Sequence, residues 1–493
     1  MPKSPSAPRG PAQSLPRKPA AKAVDRGHQE HTKEAEADVG LPGKLGRSLK
    51  LTMLGAGSAF TPRLVNDVLR MPGAEAGEIA LVDVDEERLR TMHALIQKLL
   101  ETLGKPRWKV TASSDRKKVL KGSHYIVNCI EVSGVECVKH DNDIPLKYGI
   151  DQCIGDTIGP GGLFKGLRTI PVWIEVLKDV ERLCPEALVL NYTNPMSMMM
   201  LAAGRTSPVA AVGLCHSVQG TSHLLAGRAN VPYAELEWEC AGVNHLAWFT
   251  KLRHAGKDLY PKLMALAEKD LAGKPPNAKD AGDLVRKDMM LHFGAFITES
   301  SGHLSEYLPY YRKRKDLQKR YLRERYEGES AFYRNNWPIW RKRADTDRLE
   351  MVAGTRSIDW KRSWEYASFI IEAREKDSPF RIHGNVMNRS KGGGPLIDNL
   401  PHDGVVEVAC MIDRNGVNPT VYGRLPPQMA AICDWQMRMY DLGATAAIEK
   451  SVEAAIHALL LDPYTAAVCS PKEIKQLTLD LFKAESRFLP GFK

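Results

Sequence analysis

The stretch "GLCHSVQG", residues 213–220, sets a thiol beside an imidazole, Cys215 and His216, directly after an apolar run. A strand-end cysteine, as its thiolate, suits borderline divalent metals, and so does an imidazole. Thirty residues on, "CAGVNHLAWF" (240–249) brings His245 in behind a second apolar run. Cys215 and His245 together would leave positions open on a divalent ion, as catalysis requires and a structural site avoids. The nine cysteines show neither CxxC pairs nor regular spacing. This argues against a disulfide framework and a structural zinc site, and leaves a reduced, reactive or metal-binding thiol as the special case.

The elements that must position these residues begin at Ser48. "LKLTMLGAGSAFTPRLVNDVLRMPGAEAGEIALVDVDEERL" reads as an apolar strand, a glycine turn, a helix, a second apolar strand "IALVDVD" and a charged helix. That is a β-α-β unit. Gly55 permits a tight turn and Gly57 a close backbone approach to a pyrophosphate, whose charge would sit at the positive end of the next helix. Asp83, ending the second strand, stands where a ribose hydroxyl needs a carboxylate, and it favours NAD over NADP because a 2′-phosphate would be repelled. Phe60 replaces the third glycine of the usual G-x-G-x-x-G pattern. Further strands are expected at "HYIVNCIEV" (124–132), "EALVLNYTNP" (186–195) and "VAAVGLCH" (209–216). Open α/β sheets place ligands at strand C-terminal ends, so Asn194, Cys215 and His216 should face one crevice, with Asn194 able to hydrogen-bond a polyol.

At 493 residues the chain can hold two domains, and the expected division is a disordered basic tail (1–46), a Rossmann-type NAD-binding domain (47–215) and a mixed α+β domain (216–493) for substrate and oligomer contacts. About half of the net charge of +10 falls in the Pro-, Ala-, Lys- and Arg-rich first fifty residues. A second basic run, "YRKRKDLQKRYLRERY" (311–326), reads as a helix with a solvated face, and no nucleic-acid-binding motif accompanies it. No apolar stretch is long enough for a membrane span, and the first residues lack the apolar core of a signal peptide, so the expected location is cytoplasmic. "AAIEKSVEAAIHALLLD" (446–462) reads as a long apolar helix.

Taken in order, "LGAGSAFTP", "DTIGPGG", "NYTNPM", "GLCHSVQGT" and "AGVNHLAWF" resemble glycoside hydrolase family 4, glycosidases that use NAD⁺ and a divalent metal, usually Mn²⁺. The resemblance runs from about Leu49 to the C-terminus and takes in "FITESSGHLSEYLPYY" (296–311), "LIDNLP" (396–401) and "VEVAC" (406–410). It implies an α/β fold whose Rossmann-type domain resembles lactate and malate dehydrogenases. It implies that Cys215 and His245 bind the metal, that Asn194 contacts the sugar, and that Gly55, Gly57, Ser58 and Asp83 belong to the NAD site. "CHSV" resembles the α-galactosidase branch and its relatives, so a small-molecule glycoside is the expected partner, phosphorylated sugars are not, and a homodimer or homotetramer is the expected assembly.

The implied chemistry is oxidation at C3, removal of the C2 proton, elimination of the aglycone, addition of water and re-reduction. Tyr307 is the base by this resemblance. His216 stands where other branches carry an acidic group proposed to protonate the leaving oxygen, a task a histidinium can perform near neutral pH. The same family also contains α-glucosidases and enzymes for uronic acid glycosides. A plain NAD-dependent 2-hydroxyacid dehydrogenase is the more distant alternative, distinguished by net NADH production.

Overall fold

The computed structural model describes residues 39–272 and 282–493; the tail expected over 1–46 therefore lies outside them as far as residue 38. Residues 39–46 are anchored. Leu41 is buried, its N–H donates to Glu372 Oε1 at 2.9 Å, and its carbonyl accepts from Lys376 Nζ at 2.9 Å. Glu372 also pairs with Arg362 at 2.7 Å, and all three side chains are buried. The described end of the chain is thus tied to the helix Tyr366–Lys376.

The described strands form one sheet. They are β1 (Leu49–Leu54), β2 (Gly77–Val82), β3 (Trp108–Ser113), β4 (Tyr125–Asn128), β5 (Leu188–Asn191), β6 (Ala211–Gly213), β7 (Leu236–Val243), β8 (Leu246–His254), β9 (Lys257–Asp258), β10 (Phe296–Ile297), β11 (Phe380–Met387), β12 (Val405–Asp413) and β13 (Gly416–Pro419). One wing runs β3-β2-β1-β4-β5-β6, all parallel, which is the strand order of a dinucleotide-binding fold. Runs such as "YIVN" and "LVLN" are buried throughout because crossover helices cover both faces, and this is why they read as continuous rather than alternating apolar segments. The sheet then continues antiparallel through β11, β12, β7, β8 and β10, so the two halves of the chain share one sheet at the pairing of Gly213 with Asn385.

Two helix expectations need correction. The basic run 311–326 is α-helical only over Lys315–Tyr321, with a 3-10 turn beginning at Arg325, and Arg312 turns inward, donating to Ser305 Oγ and to the carbonyls of Asp151 and Gly328. The 446–462 segment is two helices, Pro427–Glu449 and Val452–Leu460. Lys450 takes a left-handed conformation that ends the first, and the Ser451 side chain caps the second. Among the described residues no helix is long and apolar enough to cross a membrane.

Candidate active site

Gly55 follows β1 at φ +72, and a Cβ there would run into the carbonyl of Cys129 beyond β4. Two residues on, the Gly57 N–H donates to Asp83 Oδ2 at 2.6 Å, while Asp83 Oδ1 accepts from the Asp85 N–H at 2.9 Å. The turn and the acid at the end of β2 are therefore one unit, with Ser58 inside it, its N–H donating to Gly55 O at 2.9 Å. The helix Thr61–Leu69 that follows has no side-chain cap, but the Thr61 N–H donates to Ser58 O at 3.3 Å and Pro62 has no N–H, so its first turn leaves at most the Arg63 N–H for an anion.

Cys215 and His216 sit just past β6, as expected of a strand end. His245 is more specifically placed than the sequence indicated: with Asn244 it forms the two-residue turn of the β7–β8 hairpin, at φ +63. Glu299, two residues past β10 and also left-handed at φ +76, completes the set. One donor atom each from Cys215, His245 and Glu299 lie within 4.8 Å of one another. Two of these three donors thus occupy a costly backbone region, which persists only where surrounding structure imposes it and which concentrates at functional sites.

The electrostatics of the set are mutual. Burial opposes the charged thiolate, but His245 beside it outweighs that effect and brings Cys215 down to about 7. Burial likewise opposes the charged imidazole, yet Glu299, whose Oε2 is 3.3 Å from His245 Nε2, and Cys215 lift it to about 10. The Glu299 carboxyl is held below its usual value by His245 and His303 against its own burial. The Asn244 amide, 1 % exposed, has neither its oxygen nor its nitrogen hydrogen-bonded. A soft thiolate, an imidazole and a carboxylate beside an unpartnered buried amide fit a borderline divalent ion with positions left for further ligands.

Tyr307 is brought to this cluster and fully buried, its hydroxyl 2.9 Å from His245 Nδ1 and 3.4 Å from His303 Nε2. Burial, then Tyr440 and nearby carboxylates, push the phenol well above its ordinary value. His303 Nδ1 meets Glu306 Oε2 at 2.7 Å, and its Nε2 lies 3.9 Å from Asp156 Oδ1. Asn194 joins the same group, donating to Asp156 Oδ2 at 3.4 Å. Lys165 Nζ stands 2.9 Å from Glu131 and 3.4 Å from Asp156. Burial raises Asp156, but Lys165 and His303 prevail and hold it at about 2.

His216 points to a different carboxylate, with Nε2 2.5 Å from Glu365 Oε1 and its ring stacked on Phe60 at 6.1 Å. Burial would lower it; the Glu365 hydrogen bond and charge raise it to about 9, so the imidazolium is the resting form near neutrality. Sequence reading missed Glu299, Glu365, His303, Asp156 and Lys165. "DTIGPGG" and "FITESSGHLSEY" stand out as motifs, but which of their polar residues turn inward is decided by loops far from Cys215 in the chain.

The model of the family 4 glycosyl hydrolases matches residues 50–231, and that of their C-terminal domain residues 240–465. An alpha-galactosidase of Rhizobium meliloti is 36% identical over 90% of each chain. An alpha-galactosidase of Bacillus subtilis is also 36% identical, over 90% of this chain and all of that one. Among solved structures, a 6-phospho-alpha-glucosidase from gut microorganisms, in complex with NAD and Mn²⁺, superposes with a TM-score of 0.74 at 22% identity, covering 91% of this chain and 100% of that one, which shows the shared fold. By the two family models and these relatives, the chain belongs to family 4 of the glycosyl hydrolases.

Proposed function

We propose that this glycosyl hydrolase cleaves terminal α-galactosides, using NAD and a divalent ion, Mn²⁺ first among the candidates. The observation that carries the reading is the Cys215, His245 and Glu299 donor set, which is built beyond strand ends of the sheet that also presents the Gly55–Gly57 turn and Asp83. The relatives named above support the sugar, and the complex with NAD and Mn²⁺ supports the pair of cofactors. Cys215, His245 and Glu299 would hold the ion; Gly55, Gly57, Ser58, Asp83 and the uncapped helix start would hold the dinucleotide.

When bound, NAD⁺ would supply reversible hydride acceptance at the sugar's C3, and a divalent ion held by Cys215, His245 and Glu299 would supply Lewis-acid polarisation. Tyr307 Oη takes the C2 proton as its own hydroxyl proton passes to His303 Nε2, 3.4 Å behind it. His216, held charged by Glu365, delivers a proton to the leaving oxygen. Asn194 and Asp156 hold sugar hydroxyls, and Lys165 keeps Asp156 ionised as an acceptor.

A neutral hexose suits this pocket better than a uronate. The buried cation beside Asn194 and Asp156, Lys165, is already matched by two carboxylates, Glu131 and Asp156. A substrate carboxylate placed at Lys165 would lose its water and compete with these two carboxylates, at a cost of about 2–3 kcal/mol, or about 100-fold in selectivity. That none of the nine cysteines forms a disulfide supports a reducing, cytoplasmic compartment.

Release of nitrophenol from 4-nitrophenyl α-galactoside, measured with and without NAD⁺ and Mn²⁺ beside the α-glucoside and α-galacturonide, tests the proposal. Expected are a requirement for both additives, no net NADH, and preference for the galactoside. Cleavage without NAD⁺, or steady NADH accumulation, would overturn it. A second result bears on His216 alone. His216→Gln should cost at least about 10²-fold with an alkyl α-galactoside, and far less with the nitrophenyl one, whose leaving group needs no acid. Equal losses on both substrates would remove His216 as the acid.

A further inference from the structure

A second set of soft donors converges near Arg168 of the helix Gly159–Leu183. Cys137 immediately precedes the helix Val138–Lys147 and His140 lies in its first turn, so their three-residue spacing puts them on one face. Glu485 follows the helix Pro471–Ala484. One donor atom each from Cys137, His140 and Glu485 lie within 4.8 Å of one another. Cys137 and Glu485 are 0% and 1% exposed, whereas His140 is half-buried.

The cluster is incompletely satisfied. His140 Nδ1 and Glu485 Oε1 are buried without a hydrogen-bond partner. The other Glu485 oxygen accepts from Arg168 Nη1, and the same guanidinium forks onto Asp141 at 2.9 and 2.8 Å. One guanidinium serves both buried carboxylates, and burial together with the Asp141 charge raises Glu485 to about 9 against Arg168, since buried charge is tolerated only when paired.

We propose that Cys137, His140 and Glu485 form a second metal site, one that takes a zinc-class divalent ion apart from the Cys215 cluster. Thiolate, imidazole and carboxylate are the three zinc ligand types, and bond lengths of about 2.0–2.3 Å around a tetrahedral ion place donors about 3.5 Å apart. The half-exposed side at His140 admits a water as fourth ligand. The ion joins the C-terminal helix to the segment after β4. Arg168 lies one turn from Lys165, so the ion also braces the helix that presents Lys165 to Asp156.

Cobalt titration of the full-length Cys215→Ser variant, which leaves this site untouched, is the test. The expected result is one tightly held equivalent with a thiolate-to-cobalt absorption band in the near ultraviolet, zinc displacing it, and a higher melting temperature with either ion. Adding His140→Gln should weaken binding at least 10-fold, and adding Cys137→Ser should abolish the band. A Cys215→Ser protein that binds no cobalt, or binds it without a thiolate band, would overturn the proposal and leave a proton on Glu485 as the balancing charge.

Discussion

Cys215→Ser should abolish turnover and remove the ion of the Cys215 cluster, with kcat/KM for an α-galactoside falling by at least about 10³-fold. The thiolate is the anionic soft donor of the set, and the adjacent His245 keeps it near pKa 7 despite its burial. A serine hydroxyl in its place stays protonated and cannot supply that charge. The two remaining donors, His245 and Glu299, would bind a divalent ion weakly, and loss of its polarising effect on the sugar is worth several kcal/mol, which is about 10³-fold or more in rate. Metal analysis and turnover at saturating NAD⁺ check this together. A variant with full metal content and ordinary turnover would show that the cysteine is a packing residue.

The second large effect lies at the other cofactor. Gly55→Ala should weaken NAD⁺ binding about 100-fold or more and lower the melting temperature, while leaving metal binding at Cys215 intact. The backbone there is left-handed, at φ +72, which costs an alanine about 1–2 kcal/mol. The added methyl also meets the Cys129 carbonyl, so the strand ends of β1 and β4 must part. The Gly57 N–H contact with Asp83 depends on that turn. Calorimetric titration with NAD⁺ measures the loss. Wild-type affinity would mean that the dinucleotide does not lie on this turn.

The contrast between these two sites and the rest shows what sequence could reveal. The Gly55 turn, Asp83, and the Cys215–His216 pair are legible because each lies within a few residues of a strand whose apolar run is unmistakable. Glu299 and Glu365 are not. Each approaches its partner across a long stretch of chain, Glu365 from 149 residues beyond His216, and neither stands in a periodic segment. His245 was legible as a donor but not as a turn residue, since "VNHL" carries no glycine to announce a left-handed position. The helix expected over 446–462 failed for a related reason. Lys450 adopts a left-handed cap that lysine rarely takes, and only the Ser451 cap behind it marks the break. Arg312, surrounded by basic neighbours, gave no sign that it alone would be buried.

The central claim is that the glycosidic bond breaks by elimination after oxidation, with a proton leaving C2, and not by direct displacement at C1. The most direct measurement is to run the cleavage of an α-galactoside in D₂O with NAD⁺ and Mn²⁺ and examine the released galactose by NMR. Deuterium at C2 of the product is the predicted result, because the proton that Tyr307 removes exchanges before the sugar is restored. Galactose carrying only hydrogen at C2, formed at full rate, would contradict the account.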